Sequence, residues 1–144
     1  MNRFLVFIVC SLFFFASSCD EEAPDELPLV PCDKFLIVNE NAFLTLDSDP
    51  FTVTNAFVID DCLQVVITAS GCDGNAWEVE LIGSDSVEVS TTIQRDLRLK
   101  LKNEEDCDAV INKPFAFELR TLGVKGSITL NLDGWDKPLN YSTE

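Results

Sequence analysis

Apolar and polar residues alternate with a period of two through most of this chain, the pattern of half-buried β-strands. Leu97, Leu99 and Leu101 alternate with Arg98, Lys100 and Lys102. Trp77, Val79 and Leu81 alternate with Glu78 and Glu80; Phe115, Phe117 and Leu119 with Glu118 and Arg120; Ile128, Leu130 and Leu132 with Thr129 and Asn131. Residues 51–59 put Phe51, Val53, Phe57 and Ile59 on one face. Asp60-Asp61 then reads as a tight hairpin turn into Cys62–Thr68. Phe35–Val38 and Val87–Val89 read as shorter strands, and SGCDGN and TLGVKG as turns. Glu104–Asn112 is the best place for one helical turn. Seven or eight short strands without a long helical period predict an all-β domain, an antiparallel, immunoglobulin-like β-sandwich. A barrel with a ligand cavity is the alternative. Trp77, alternating with acids, belongs to the core.

The first 18 residues break this pattern. Arg3 is followed by an apolar run, Phe4–Phe15, and then by Ala16-Ser17-Ser18. A run of about a dozen apolar residues matches an export signal and falls short of the ~20 needed to span a bilayer. Ala16 stands where the usual lipobox prefers Leu, and Ala16 with Ser18 also fits the small-x-small rule of an ordinary signal peptidase cutting before Cys19. The count of cysteines favours lipid attachment: cleavage there leaves Cys19, Cys32, Cys62, Cys72 and Cys107. Acylating Cys19 turns an odd set into four that can pair. The division expected is a signal peptide at 1–18, a lipidated Cys and acidic, Pro-containing tether at 19–31, and the folded domain at 32–144. Asp20-Glu21-Glu22 resembles the acidic export tag of surface lipoproteins in Bacteroidetes-type bacteria, which implies the outer face of the outer membrane.

Charge and composition narrow the chemistry. All 25 acids lie beyond the signal, as do all the bases except Arg3, and the whole chain carries a formal charge of −15. That charge disfavours nucleic acid as a partner, because binding it relies on Lys and Arg at phosphates. The chain has no histidine, so Ser-His-Asp and Cys-His catalysis and His-ligated zinc are excluded as ordinarily built. No Gly-rich phosphate loop, GxSxG or HExxH occurs, and no cofactor is implied.

Four cysteines allow three pairings. Cys62 and Cys72 flank one strand, and about seven extended residues hold its ends ~23 Å apart, beyond the ~7 Å reach of a disulfide. Two pairings remain, 32–62 with 72–107 or 32–72 with 62–107. Cys72 and Cys107 each lie just past a strand; they share one end of the fold if residues 84–94 make no full crossing and lie at opposite ends if they do, and the pairing expected is 72–107 with 32–62.

From Leu63 to Leu122 the chain resembles a set of uncharacterised Bacteroidetes lipoproteins: a strand, then Gly71-Cys72, a further strand, the alternating Leu97–Leu101, Asp106-x-Cys107, and the Phe-rich Phe115–Leu119. Where such proteins often carry a histidine after the Gly-Cys, this chain has Asn75, Ala76 and Trp77. The resemblance implies no activity.

Three kinds of site can be read from side-chain chemistry. Acids at Asp47/Asp49, Asp60/Asp61 and Glu104–Asp108 offer oxygen ligands for calcium, without EF-hand spacing. Paired carboxylates could hydrolyse glycosides. Trp135 and Tyr141, in the polar tail DGWDKPLNYSTE, could stack on sugar rings or a partner surface, whereas Trp135 could instead plug one end of the sandwich. The function expected is that of a non-enzymatic binding or accessory lipoprotein of the cell envelope, membrane-bound through its lipid and contacting a protein or glycan. A calcium-binding or glycan-hydrolysing envelope protein is the alternative.

Overall fold

Each alternating stretch becomes a strand whose apolar side points to one shared interior. The computed structural model describes residues 29–86, 88–89 and 93–143; the signal segment, Cys19 and most of the tether lie outside them. The elements are β1 (Lys34–Val38), α1 (Glu40–Leu44), β2 (Thr52–Ile59), β3 (Cys62–Gly71), β4 (Glu78–Gly83), β5 (Glu88–Val89), β6 (Ile93–Lys102), β7 (Ala109–Glu118), a 3-10 turn (Arg120–Leu122), β8 (Gly126–Leu132) and β9 (Leu139–Thr143).

The domain is all-β but not an immunoglobulin-like antiparallel sandwich. Its strands form one mixed sheet in the order β2-β3-β7-β1-β4-β6-β8-β9, with β5 added to β6, curled nearly into a barrel. Three of its pairings are parallel: β1 with β7, β1 with β4, and β6 with β8. β1 accounts for two of the three. It inserts between β7 and β4, parallel to both, and joins two otherwise separate sets of strands. Alternation dictates which side chains face inward. It is silent about which strands become neighbours and in which direction they run.

Leu63, Ile67, Leu81, Leu97, Leu101, Phe117, Leu119, Ile128 and Leu130 are buried inside, together with Trp77. At ~25 cal/mol per Å² of apolar area removed from water, this packed interior is the main favourable term of folding. β2 departs from the simple alternation. A register shift between Val53 and Asn55, a β-bulge, brings Ala56 and Val58 onto the inner side with Val53 and turns Phe57 and Ile59 outward. The Asp60-Asp61 hairpin forms as read, with Ile59 paired to Cys62 and Asp60 at φ 50°. Asp is among the few non-glycine residues that adopt this left-handed conformation readily.

No helical turn forms over 104–112. Residues 103–108 have no regular structure and β7 starts at Ala109. Two attachments hold this stretch against the β3–β4 turn. One is the Cys72–Cys107 disulfide. The other is the Glu105 carboxylate, which accepts hydrogen bonds from the backbone N–H groups of Cys72, Asp73, Gly74 and Ala76. Desolvation pushes the Glu105 pKa up, but the four donors together outweigh it and hold the group down at about 2. The helix lies instead at 40–44, capped by Asn39, whose side chain accepts from Ala42 N–H.

The second disulfide, Cys32–Cys62, ties the start of the domain to the first residue of β3. Just upstream, the buried Gln64 side chain bonds both backbone groups of Val30: it accepts from Val30 N–H and donates to Val30 C=O. The two bridges therefore sit at opposite ends of β3.

Tyr141 belongs to this core rather than to a binding surface. On β9 it is 2% exposed, and its hydroxyl donates to Asp61 at 3.0 Å. A ring so enclosed cannot stack on a sugar. Burial first, then the hydrogen bond to Asp61, raises its pKa to about 12. A group whose pKa rises on folding adds stability below its unfolded value, near 10, and that contribution disappears as the pH climbs through 12. Tyr141 is the chain's only tyrosine, so ultraviolet titration of phenolate reads it alone. The folded protein should titrate near 12, and Tyr141→Phe should cost about 1 kcal/mol at neutral pH.

Candidate functional site

The outer side of β6 carries a trough of three adjoining hollows, of about 270, 200 and 330 Å³. The first lies between Phe43 of α1 and Asp96, Arg98, Asn131 and Asp133. The second is bounded by Ser48, Asp49, Phe51, Arg98, Leu99 and Asp133. The third runs from Asp47 and Asp49 to Lys100 and Lys102.

Strand register creates the trough. β4 pairs with β6 from Leu97 to Lys102, whereas β8 reaches only from Ile93 to Leu97. Beyond Leu97, the β8-facing edge of β6 is no longer covered by a strand. The odd-numbered residues turn their backbone groups to that edge. Leu97 C=O accepts from Asp133 N–H. Leu101 C=O accepts from Asp49 N–H and Leu101 N–H donates to the Ser48 hydroxyl. Leu99 stands between them with the same orientation, because backbone groups along a strand alternate sides. Its N–H and C=O have no partner among the described residues, and Leu99 lines the middle hollow. The gap from Leu97 to Leu101 is four residues, or ~13 Å of strand.

Side chains hold the walls of this gap. Arg98 pairs with Asp133 at 3.3 Å, donates to the Phe43 carbonyl at the end of α1, and lies over the Phe43 ring. A guanidinium there satisfies a helix carbonyl that the short helix leaves open. Asn103 N–H donates to the Asp49 carboxylate. The lysines that line the third hollow are engaged by glutamates, Lys100 with Glu80 and Lys102 with Glu78 and Glu104. The hydrogen bond and charge of Glu104 raise the Lys102 pKa. Asp47, Asp49 and Asp96 thus have no ion-pair partner among the described residues.

The residues singled out in the sequence lie elsewhere. Cys32 pairs with Cys62 and Cys72 with Cys107. Trp135, at the turn after β8, is half-buried against the core, with Lys137 over its ring and its indole N–H enclosed without a partner among the described residues. Cys19 lies outside the described residues. No cluster of three or more potential metal ligands occurs among the described residues, and Glu105 is committed to the β3–β4 turn. Alternation had identified Arg98 only as an outward residue. Leu99 was read as core, and its side chain is buried; its chemistry at the trough lies in the backbone, which no side-chain pattern reports.

No protein-family model matches the chain, and no curated protein matches it. Solved structures from two Bacteroides species have a similar fold. One is a protein of unknown function, DUF1344, from Bacteroides vulgatus ATCC 8482, at 18% identity and a TM-score of 0.50, covering 81% of this chain and 59% of that one. The other is a NigD-like immunity protein from Bacteroides caccae ATCC 43185, at 12% identity and a TM-score of 0.51, covering 79% of this chain and 61% of that one. The chain spans about three-fifths of the length of each. At these identities the likeness is one of fold. It accords with the resemblance to uncharacterised Bacteroidetes proteins.

Proposed function

We propose that this chain is a non-enzymatic accessory lipoprotein of the cell envelope, held to the outer membrane by acylated Cys19, and that it binds an extended segment of a partner protein along β6. The observation that carries this reading is the open peptide group of Leu99. A neighbouring donor and acceptor on a strand edge are matched by the N–H and C=O of another extended main chain. A ~13 Å gap admits three to four such residues. The unpaired carboxylates of Asp47, Asp49 and Asp96 favour a guest that carries Lys or Arg. One structure of similar fold is that of a NigD-like immunity protein, a name with which a binding rather than a catalytic task agrees.

The Leu99 amide should exchange with deuterium much faster than those of Lys100 and Leu101, and partner binding should protect it. A photo-crosslinker placed at Asn131 in intact cells should capture a polypeptide, and Asp49→Lys combined with Asp96→Lys should abolish that capture. Attachment of the crosslinker to a glycan alone would overturn the assignment.

A further inference from the structure

Exposed apolar side chains gather where the chain enters the domain. Phe35 and Leu29 are 66% and 62% exposed, Ile37 and Ile59 43% and 40%. Strand register brings them together. Ile59 is opposite Cys62, Cys62 is opposite Glu118, and Glu118 is beside Phe35. Register partners point to the same side of a sheet, so Ile59 and Phe35 share the outer face, three strand spacings or ~14 Å apart. Ile37 follows Phe35 on that face, two residues on. Leu29 and Ile59 border one hollow of about 370 Å³, together with Gln64 and both cysteines of the Cys32–Cys62 bridge.

β1 has parallel neighbours on both sides, β7 and β4, and reads as an unbroken apolar run, Phe35-Leu36-Ile37-Val38. Strands of this kind are as a rule covered on both faces. Leu36 fills the inner face, whereas the outer residues Phe35 and Ile37 face solvent. Grouped apolar side chains on a surface mark a place that meets something else. The chain itself indicates what. Ten positions separate Leu29 from Cys19, a reach of at most ~35 Å, so a lipid on Cys19 keeps this side of the domain beside the bilayer. A second copy would bring another charge of −15 against the first, which opposes self-association. A zwitterionic lipid surface carries no such penalty.

We propose that this face is a membrane-docking surface, with Leu29, Phe35, Ile37 and Ile59 seated in the interfacial layer of the bilayer that holds the lipid. It rests on the acylation of Cys19 in the function proposed above. Burial of apolar area supplies the attraction, and the tether supplies proximity. The consequence is orientation. β6 stands four places from β3 in the strand order, so docking through this side turns the trough away from the lipid and toward solvent, where a partner segment reaches it.

Tryptophan quenching in vesicles tests the surface. The mature acylated protein is reconstituted into phosphatidylcholine vesicles with and without bromine on the acyl chains, and the signal of the unaltered protein, from Trp77 and Trp135, is subtracted. Phe35→Trp puts the probe on the face. Val110→Trp puts it at an exposed position eight residues from Glu118 on β7, or ~26 Å away. Bromine should quench Phe35→Trp several-fold more than Val110→Trp. Adding Leu29→Glu and Ile59→Glu, both at exposed positions, to Phe35→Trp should remove that excess. Equal quenching at the two positions overturns the proposal, and so does quenching that appears only when phosphatidylglycerol is added, since the attraction would then not be apolar. A dimer in detergent that Phe35→Glu dissociates would give the face to a second copy and overturn it as well. Mass spectrometry of the mature N-terminus separates the two claims. An unacylated Cys19 overturns both, whereas acylated protein with an unquenched Phe35→Trp overturns the docking surface alone.

Discussion

Phe117→Ala should destabilise the domain by about 3–5 kcal/mol, the range for truncating an enclosed aromatic side chain. Phe117 is 0% exposed and sits on β7, where it is opposite Leu63 of β3 and Lys34 of β1. β7 is the strand through which the antiparallel β2-β3-β7 set meets the parallel insertion of β1. A cavity at Phe117 therefore loosens the join between the two sets of strands as well as removing apolar contact. Single domains have only about 5–15 kcal/mol of net stability, so the variant should lose a large share of it. Urea unfolding followed by tryptophan fluorescence measures the change. Val110→Ala, at a position of the same strand that is 73% exposed, is the control and should shift stability by less than ~0.5 kcal/mol.

Loss of both disulfides should be more damaging still. The bridges close separations of 30 and 35 residues, for which the loop-entropy relation gives about 3.5 kcal/mol each. Paired serine variants, Cys32→Ser with Cys62→Ser and Cys72→Ser with Cys107→Ser, should each lower the urea midpoint substantially. All four changes together should bring the protein close to unfolded at neutral pH. The same result is expected from a strong reductant added to the unaltered protein. If the Cys72–Cys107 pair costs much less than the Cys32–Cys62 pair, the backbone grip of Glu105 on the β3–β4 turn is the reason, since it joins the same two loops.

The inward face of most strands was legible before the fold was known, because alternation has one physical cause: one side of each strand meets the core. Leu97, Leu99 and Leu101, Phe115 and Phe117, and Ile128, Leu130 and Leu132 were all read from it and are all buried. The Asp60-Asp61 turn was legible because its length and residue types are local. The rest depends on distant neighbours. Nothing in KFLIV says that β1 will lie parallel to both β7 and β4, and that insertion, with the parallel pairing of β6 and β8, makes the sheet mixed rather than antiparallel. The bulge in β2 leaves no mark in composition, so Phe57 was assigned to the wrong side. Tyr141 appeared to lie in a polar tail because its neighbours are polar, but in a strand those neighbours point the other way. The trough arises from the offset between the ends of β8 and β6, a difference of lengths in three dimensions that one strand's sequence does not contain.

The clasp at the domain's start has a mechanical consequence. Residues upstream of Val30 lead toward the expected membrane attachment, and Gln64 and Cys62 receive them on β3 before β1 begins. Tension applied from the bilayer side would therefore be delivered by a covalent link into a strand hydrogen-bonded on both flanks. β1, which follows Cys32, would be shielded from peeling, because the load is shared with β3 through the bridge.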